Sequence, residues 1–368
     1  MIFACEAQEL NAALGIVSHS IAVRSPKPIL EGVLMESCEE GIRLTCTDMT
    51  LGIETVIPAE VSEEGRVVMP GKLFCDAARK LPSGRCDISV NGKWQATVSC
   101  RSFRMTIAGM DGMEYPELPE VSGERFVMQQ GTLRDMIAGT LFATAVDESR
   151  PILTGCLLEI SPEDIRIVAL DGFRLAIRKE AVHGPDHAVQ TVLGGRALTE
   201  ISRILQDSEE EIGITVGKSH TEFILGGTRI VARSLEGEFI RYRQILPTEW
   251  KTQTIVDRRE LESAIDRASL IAREGKNNLA RFTIEGEELV ITSNSETSDT
   301  EERIPADTQG SGLMIAFNVR YVTDVLKVLG TDRVLMRFNS NVSPCVIAPE
   351  EGDDYLYLVL PVRVFAAE

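Results

Sequence analysis

Three segments of this chain carry basic and acidic residues at the same three positions. They are KLFCDAARKL (72–81), RALTEISRIL (196–205) and RYVTDVLKVL (320–329), which align without a gap at a spacing of 124 residues. Each has a base at its first position, an acid at its fifth and a base at its eighth. In a helix these three positions share one face, since side chains three and four residues apart are neighbours. A basic face that recurs three times fits a polyanion held through its phosphates, without reading of its bases.

The bases of this face are the candidate contacts to the polyanion. Six belong to the repeated positions and two lie nearby: Lys72, Arg79, Arg196, Arg203, Arg320 and Lys327, with Arg24 and Lys80. An ordinary exposed helix face with ion pairs would use the same residue types, and each such pair is worth only a few tenths of a kcal/mol. The recurrence in three segments favours the phosphate surface, for which we expect weak, sequence-independent and salt-sensitive binding.

No motif for catalysis or metal binding stands out. The patterns GxxxxGK[ST], GxSxG and HExxH are absent. His183 and His187 form a pair in HGPDH, where Gly-Pro favours a solvated loop over a metal site. Asp171, followed by Gly172 at the end of a predicted strand, indicates a turn before it indicates an active-site carboxylate. The sequence therefore predicts no catalytic residue, no metal site and no cofactor.

The charged segments belong to a longer internal repeat. PILEGVLME (28–36) and PILTGCLLE (151–159) lie 123 residues apart, as do Asp48 and Asp171. Each copy has the pattern of a strand, an amphipathic helix, alternating strands, the charged helix and further strands. We predict an α+β fold of three repeated domains, 1–122, 123–247 and 248–368, each with two helices packed on antiparallel sheets.

Each charged helix also needs an apolar face that holds it on its sheet. Opposite the bases, every copy offers three apolar positions. They are Leu73, Ala77 and Leu81, then Leu198, Ile201 and Leu205, then Val322, Val325 and Leu329. We expect all nine side chains to be buried.

Charge and composition limit the partners and the cellular location that we expect for this protein. Its 368 residues include 38 Lys and Arg against 56 Asp and Glu, a net charge of −18 at pH 7. That total alone argues against nucleic acid, unless basic residues are gathered on one surface. No apolar run approaches the ~20 residues of a membrane span, and the start MIFACEAQEL lacks the basic region of a secretory signal. We expect a cytoplasmic protein with no membrane partner, whose eight irregularly spaced cysteines are mostly buried hydrophobes.

The sequence resembles the bacterial DNA polymerase III beta subunit family, the sliding clamps, over its whole length. The motifs that carry the resemblance are PILEGVLME with Arg24 before it, VALDGFRLAI, LEGEFIRYRQILP (235–247), IAFNVRYVTDVL (315–326) and YLVLPVRV. The resemblance implies three clamp domains per subunit and a head-to-tail homodimer. Six domains would then close a ring around double-stranded DNA, with helices inside and sheets outside. Such a ring tethers the polymerase and is not itself an enzyme.

The resemblance also implies a cleft for short peptide motifs of the DNA polymerase III alpha subunit, the clamp loader and other clamp-binding-motif proteins. From the second domain it would comprise Leu153, Leu170, Gly172, Phe173, Arg174, Leu175, Ile240, Gln244 and Ile245. From the third it would comprise Asn318, Tyr321, Val342, Pro344, Leu360, Pro361, Val362 and Arg363. An apolar wall with a few polar groups suits a linear peptide. Without the resemblance, the three leucines 153, 170 and 175 would be taken as plain core.

Two predicted strands of opposite charge suggest how the ring closes. In the first domain, the strand at 101–107 contains Arg101, Arg104 and Ile107. In the third domain, four acids flank a strand: Glu296, Asp299, Glu301 and Glu302. Pairing two edge strands of opposite charge satisfies their backbones and selects the partner. We expect two identical junctions between first and third domains, built around Ile107.

Some positions depart from the family pattern. Gln244 stands where a base is often found, Asp147 where a DNA-contacting Gln is expected, and Phe365–Glu368 extends past the usual C-terminus. These departures bear on partner preference and on individual DNA contacts. Two other functions stay open at this point: an enzyme with a diffuse active site around Asp171, and a clamp paralogue with a specialised partner set.

Overall fold

The computed structural model describes residues 1–363, apart from the side chain of Lys276. The chain divides into two compact units. The first unit is Met1–Leu133 with His183–Ser234, and the second is Arg134–Val182 with the described residues from Leu235 onward. Neither unit coincides with one predicted repeat, so the boundaries 1–122, 123–247 and 248–368 stay a prediction. Among residues 1–363, every helix is too short or too polar to span a bilayer.

The elements follow the same order in each repeat. The first repeat has β1 (Ile2–Glu6), α1 (Ala7–Val17), β2 (Gly32–Cys38), β3 (Gly41–Thr47), β4 (Leu51–Ile57), β5 (Glu60–Glu63), β6 (Arg66–Pro70), α2 (Gly71–Ala78), β7 (Arg85–Val90), β8 (Gln95–Cys100), β9 (Phe103–Ala108) and β10 (Met110–Asp111). The second has β11 (Gly123–Gln129), α3 (Gln130–Leu141), β12 (Gly155–Ile160), β13 (Asp164–Leu170), β14 (Arg174–Ala181), β15 (Val189–Gly194), α4 (Gly195–Ile204), β16 (Glu211–Gly217), β17 (His220–Leu225) and β18 (Thr228–Arg233). The third has β19 (Thr252–Asp257), α5 (Arg258–Ala272), β20 (Leu279–Glu285), β21 (Glu288–Asn294), β22 (Asp299–Pro305), β23 (Asp307–Gly310), β24 (Leu313–Asn318), α6 (Val319–Leu326), β25 (Arg333–Phe338), β26 (Cys345–Ala348) and β27 (Tyr355–Val359). The prediction of an α+β fold with two helices per repeat is confirmed for the described residues.

Antiparallel sheets form the framework of the first unit. One sheet has the order β5-β1-β7-β8-β9, and a nine-stranded sheet has the order β10-β6-β2-β3-β4-β18-β17-β16-β11. The pairing of β4 with β18 joins strands from two repeats, with Ile53 opposite Ile230. Both side chains are fully buried, so the junction between the repeats is part of a continuous apolar core.

The second unit has the same kind of junction. Eight of its strands form a sheet in the order β12-β13-β14-β27-β26-β25-β19-β23, and four more follow the order β22-β21-β20-β24. Strands β14 and β27, again from two repeats, pair with Leu175 opposite Leu358. Each of these leucines is almost completely buried, which holds the two strands in one register.

The charged helices α2, α4 and α6 pack as expected in two cases of three. In α4 and α6 the predicted apolar residues are buried, for example Ile201 and Val322. In α2 the prediction was wrong, because Leu73 is 48 % exposed and Phe74 takes the core position at 1 % exposure. Phe74 is the third residue of its segment, the position that Leu198 and Val322 fill in α4 and α6, and all three are buried. The three helices therefore turn the same face to the core, and Leu73, at the second position, lies off that face.

The cysteines are all unpaired, as the spacing predicted. Seven are buried, and Cys38 is half-buried. Burial raises the pKa of the Cys5, Cys86 and Cys156 thiols to about 12. The thiols therefore stay protonated at neutral pH and behave as small apolar side chains.

Candidate nucleic-acid and peptide-binding surfaces

The three charged helices present their bases to solvent. All eight predicted DNA-facing residues are exposed: Arg24, Lys72, Arg79, Lys80, Arg196, Arg203, Arg320 and Lys327. Lys72, Lys80 and Lys327 make no ion pair with any described residue. Exposed bases of this kind are available to phosphate groups. No observation places DNA against them, and their role stays a prediction.

The four arginines of the helices are paired with acids. Arg79 lies 3.2 Å from Asp76 within α2, and Arg203 lies 2.7 Å from Glu200 within α4. These guanidinium groups are more than half exposed, so each pair contributes little to stability. The pairs orient the arginines without withdrawing them from solvent.

The acid at the fifth position of two helices also ties its helix to another part of the unit. In α4, Glu200 Oε2 lies 2.6 Å from Nδ1 of His19, which follows α1. In α6, Asp324 Oδ2 accepts a 2.6 Å hydrogen bond from Nη1 of Arg174 in β14. Sequence reasoning explained the repeated bases and missed this use of the acid. An acid recurs between the two bases in all three segments, and this recurrence is the sequence feature from which the contact could have been predicted.

Arg174 is the centre of the predicted peptide cleft in the second unit. Its guanidinium donates to Asp171 Oδ2 at 3.1 Å, to Asp324 Oδ2 at 2.6 Å and to the Phe142 carbonyl at 2.6 Å. It lies between two rings, 5.2 Å from the Phe142 centroid and 4.8 Å from the Tyr321 centroid. With 9 % of its side chain exposed, Arg174 positions the surrounding groups and offers little surface of its own.

The turn before Arg174 displays an aromatic ring. Asp171 Oδ1 accepts from the backbone amides of Phe173 and Arg174 at 2.8 and 3.0 Å, and Gly172 supplies the left-handed backbone with φ of 95°. The Phe173 ring stacks on Tyr321 with centroids 5.9 Å apart and is 57 % exposed. Asp171 thus has the turn role that the sequence predicted, and both of its oxygens are occupied.

The predicted cleft residues fall into three groups by exposure. Those that face solvent are Gly172, Phe173, Ile240, Gln244, Ile245, Val342, Leu360 and Arg363. Those that are half-buried are Asn318, Tyr321, Pro344, Pro361 and Val362. Those that are buried are Leu153, Leu170, Arg174 and Leu175. The buried leucines lie beneath the surface as core, so the open apolar face is made by Phe173, Ile240, Ile245, Val342 and Leu360.

The chain after β27 lies along this face. The Leu360 amide donates to the Phe173 carbonyl at 2.8 Å, and the Val362 amide donates to the Ala316 carbonyl at 2.8 Å. These two bonds hold Leu360 beside Phe173 and Val362 beside β24. Val342 and Val362 also line a cavity of about 200 Å³. The residues Phe365–Glu368, which extend past the usual C-terminus of the family, lie outside the described residues.

The two predicted interface strands are edge strands. β9 ends the five-stranded sheet and β22 ends the four-stranded sheet. Arg104 is exposed on the first and Arg101 in the turn before it, and Glu296, Asp299 and Glu301 are exposed on or beside the second. Both strands therefore have an unpaired backbone edge within the described residues, as a strand-to-strand junction requires.

Three of the predicted interface side chains are already engaged within the chain. Ile107 is 2 % exposed because it occupies an inward position of β9, so the prediction that it centres the interface is corrected. Glu302 accepts two hydrogen bonds from Arg267 at 2.8 and 2.7 Å, and this pairing lowers the pKa of the Glu302 carboxyl. Glu301 is exposed but accepts a hydrogen bond from Arg303 Nε at 3.0 Å. The predicted residues left for charge pairing between subunits are Arg101, Arg104, Glu296 and Asp299.

Comparison with known proteins identifies the family of this chain. Models of the DNA polymerase III beta subunit match at residues 1–119 for the N-terminal domain, 127–240 for the central domain and 243–363 for the C-terminal domain. The chain belongs to this family. A beta sliding clamp of Staphylococcus epidermidis is 32% identical over 357 residues, which cover 94% of this chain and 95% of the relative.

Solved structures of the family share the fold. A putative DNA polymerase III beta subunit from Eubacterium rectale is 31% identical, with a TM-score of 0.96 and coverage of 99% of this chain and 100% of that one. The DNA polymerase sliding clamp from Bacillus subtilis is 30% identical, with the same TM-score and coverage. The beta sliding clamp is a non-catalytic processivity factor, so the alternative of an enzyme around Asp171 is set aside.

The positions that depart from the family pattern lie on the surface. Gln244 is exposed in the short helical turn Tyr242–Ile245. Asp147 is exposed in a loop, where bonds from the Ser149 amide and hydroxyl lower the pKa of its carboxyl. His183 and His187 are likewise exposed in a loop, as the Gly-Pro between them predicted.

Proposed function

We propose that two copies of this chain close a head-to-tail ring around double-stranded DNA and tether the replicative polymerase to it. The ring would contact DNA through phosphates alone, move along it without reading sequence, and act in the cytoplasm, where bacterial DNA is replicated. In this reading each subunit contributes three domains with boundaries near residues 122 and 247. The family models, which end and begin close to those positions, support this division.

The single observation that carries the proposal is the threefold recurrence of exposed bases on α2, α4 and α6. The chain has a net charge of −18, yet solvent-facing bases recur at the same helical positions of three repeats. Such a recurrence indicates that the bases have a common binding role. Non-specific phosphate contact is the chemistry they suit. Phosphate contacts position a protein without binding it to one sequence, which is the requirement for a tether that moves.

The exposed apolar face around Phe173 and Leu360 supports the partner side of the proposal. We infer that it binds linear motifs of the DNA polymerase III alpha subunit, the clamp loader and other clamp-binding-motif proteins. Phe173, Ile245 and Val342 are each about half exposed, and large apolar groups in one exposed patch mark binding surfaces. Binding of a linear peptide to these side chains would cost the protein little conformational entropy, because Arg174 already fixes the turn beneath them.

A topological experiment tests the ring. The protein is loaded by a bacterial clamp loader onto nicked circular duplex DNA and followed by gel filtration. We expect the protein to stay with the circle and to dissociate when a restriction enzyme linearises it. Primer extension on the same template should show longer products with the protein than without it. Equal retention on linear and circular DNA would contradict the ring, and loading without longer products would favour the paralogue with a specialised partner set.

A further inference from the structure

A guanidinium stacked on an indole ring lies in the second unit, outside the surfaces described above. The Arg337 Cζ atom is 4.2 Å from the centroid of the Trp250 ring. Trp250 is exposed to solvent, and Arg337 is half-buried on β25. Stacking occupies one face of the guanidinium and leaves the N–H groups along its edges free to donate hydrogen bonds.

The charge of Arg337 is not paired with an acid. Its side chain makes no ion pair and no hydrogen bond with any residue that the structure describes, and its Nε is buried without a partner. Glu249 precedes Trp250 in the chain, yet its carboxylate is not paired with Arg337. Arg333 on the same strand differs, because it lies 3.3 Å from Glu350. Arg337 therefore keeps the donors that a carboxylate from another molecule would need.

Strand register connects Arg337 to the floor of the predicted peptide cleft. Arg337 lies opposite Val346, and Val346 lies opposite Leu358. Leu358 in turn lies opposite Leu175, a residue of the predicted cleft. Directly opposed residues of antiparallel strands project from the same face of a sheet. One row of side chains therefore runs from the cleft across β14, β27, β26 and β25.

This row reaches solvent at Arg337. Leu358 and Val346 are buried, whereas Arg337 and the next residue of the row, Gln253 on β19, are half-buried. The row ends at the exposed Gln309 on the edge strand β23. Gln253 Nε2 donates to Gln309 Oε1 at 2.9 Å. These two amides pair with each other and leave the charge of Arg337 uncompensated.

A peptide in the cleft could reach Arg337 with a residue that flanks its apolar motif. Two strand spacings of about 4.8 Å place Arg337 roughly 10 Å from Leu358. Leu360, two residues after Leu358, belongs to the open apolar face of the cleft. An extended chain advances about 3.3 Å per residue, so three or four residues of peptide span this gap.

We propose that Arg337 is an anchor for an acidic residue that flanks the apolar motif of a bound peptide. The carboxylate would accept hydrogen bonds from the terminal N–H groups of Arg337. Trp250 is a positioning residue, because its ring holds the guanidinium in place. The continuity of the row with the cleft favours a peptide as the source of the carboxylate, and this choice rests on the proposed function of the cleft.

The test uses the full chain and fluorescent peptides that contain the apolar core Leu-Ser-Leu-Phe. One peptide carries Glu after a Gly-Ser-Gly spacer at the C-terminal end of the core, and a second carries Glu and the same spacer at the N-terminal end. Each has a twin with Gln in place of Glu. In anisotropy titrations at low salt, we expect one of the two Glu peptides to bind about fivefold tighter than its twin, as for a partly exposed ion pair. Equal binding of Glu and Gln forms at both ends would overturn the proposal.

Three variants locate the preference for Glu. Arg337→Gln should remove it and leave the binding of the Gln peptides unchanged, which also shows that the cleft is intact. Trp250→Leu should reduce it in part, because the ring no longer holds the guanidinium. Arg333→Gln is the matched control, since it makes the same change of charge on the same strand and should keep the full preference.

Two outcomes separate this proposal from that of the cleft. A preference for Glu that persists in Arg337→Gln would overturn the anchor while the cleft proposal stands. Failure of the cleft proposal itself would show as unaltered binding of the Gln peptides to the Leu360→Asp protein.

Discussion

Arg174 and Asp324 form a 2.6 Å ion pair that joins the turn of the predicted peptide cleft to the charged helix α6. Arg174 also bonds Asp171 and the Phe142 carbonyl, so one guanidinium connects three segments. Asp324 lies 4.0 Å from Arg320, a predicted DNA contact. The two predicted binding surfaces of the second unit therefore share the Asp324 carboxylate. Arg174 and Asp324 are 150 residues apart in the chain, and the sequence did not predict this contact.

Removal of this guanidinium should destabilise the second unit. Arg174→Met keeps most of the apolar volume but leaves Asp171 and Asp324 without their cation. Because the pair is nearly buried, we expect a loss of about 3 kcal/mol in the free energy of unfolding, measured by urea denaturation. The double variant with Asp324→Leu should recover part of that loss. Arg166→Met, which breaks a more exposed pair with Asp164, is the control, and an equal loss there would contradict this role of Arg174.

The exposed lysines should govern salt-dependent binding of DNA. In Lys72→Glu with Lys327→Glu we expect weaker direct binding of duplex DNA and a smaller salt dependence. Each phosphate group that the protein no longer neutralises makes the slope of log K against log salt shallower by about 0.9. Titration at several salt concentrations measures this slope. Lys93→Glu with Lys218→Glu makes the same change in net charge on exposed turns, and an equal effect of that pair would refute a dedicated surface.

A charge in the apolar face should abolish capture of peptide motifs. Leu360 is 37 % exposed, so Leu360→Asp should fold normally and weaken a clamp-binding peptide by more than about tenfold, or 1.4 kcal/mol. Isothermal titration calorimetry measures the affinity. Leu270→Asp, at a leucine that is 63 % exposed on α5, is the matched control. Leu175 is unsuitable for this test because a charge there would be buried. Unaltered affinity in Leu360→Asp would move the cleft elsewhere.

The charges on β9 and β22 should decide dimer formation. Arg104→Glu places like charges at the proposed junction, and we expect monomers at nanomolar concentration by mass photometry. Adding Asp299→Arg, at an exposed acid of β22, should restore the dimer, because the charges of the two strands are then reversed. Arg125→Glu, on the edge strand β11 of another sheet, should stay dimeric. Ile107→Asp is not a test of the junction, because that side chain is buried and the substitution would destabilise the core of the first unit. Dimers of Arg104→Glu at nanomolar concentration would refute the junction.

The buried cysteines should resist alkylation until the protein unfolds. Burial raises the pKa of the Cys5 and Cys86 thiols to about 12, so at pH 8 almost none of either is thiolate. Cys38 alone among the eight is half-buried. We expect iodoacetamide at pH 8 to modify Cys38 first, as shown by peptide mass spectrometry, and the other seven only in denaturant. Early modification of Cys5 or Cys86 would show that the five-stranded sheet opens readily.

Much of this protein follows from local periodicity in the sequence. The spacing of 124 residues, the base–acid–base pattern and the strand–helix order all predicted elements that the structure contains. The turn at Asp171 was also predicted, because a carboxylate followed by glycine satisfies its own backbone amides. Each of these features depends on residues that are close together in the chain, so each can be predicted from the sequence alone.

Which side of an element faces inward was decided only by tertiary packing. Ile107 faces inward because β9 has one buried face, and it is 2 % exposed. Alternation along a strand shows that two faces differ, but a shift of one residue exchanges them, so the buried face depends on the neighbouring sheet. Arg174 was predicted from the sequence as a residue of the peptide cleft, but its burial was not predicted. It becomes a buried connector because Asp324, from a different repeat, is brought beside it by the pairing of β14 with β27.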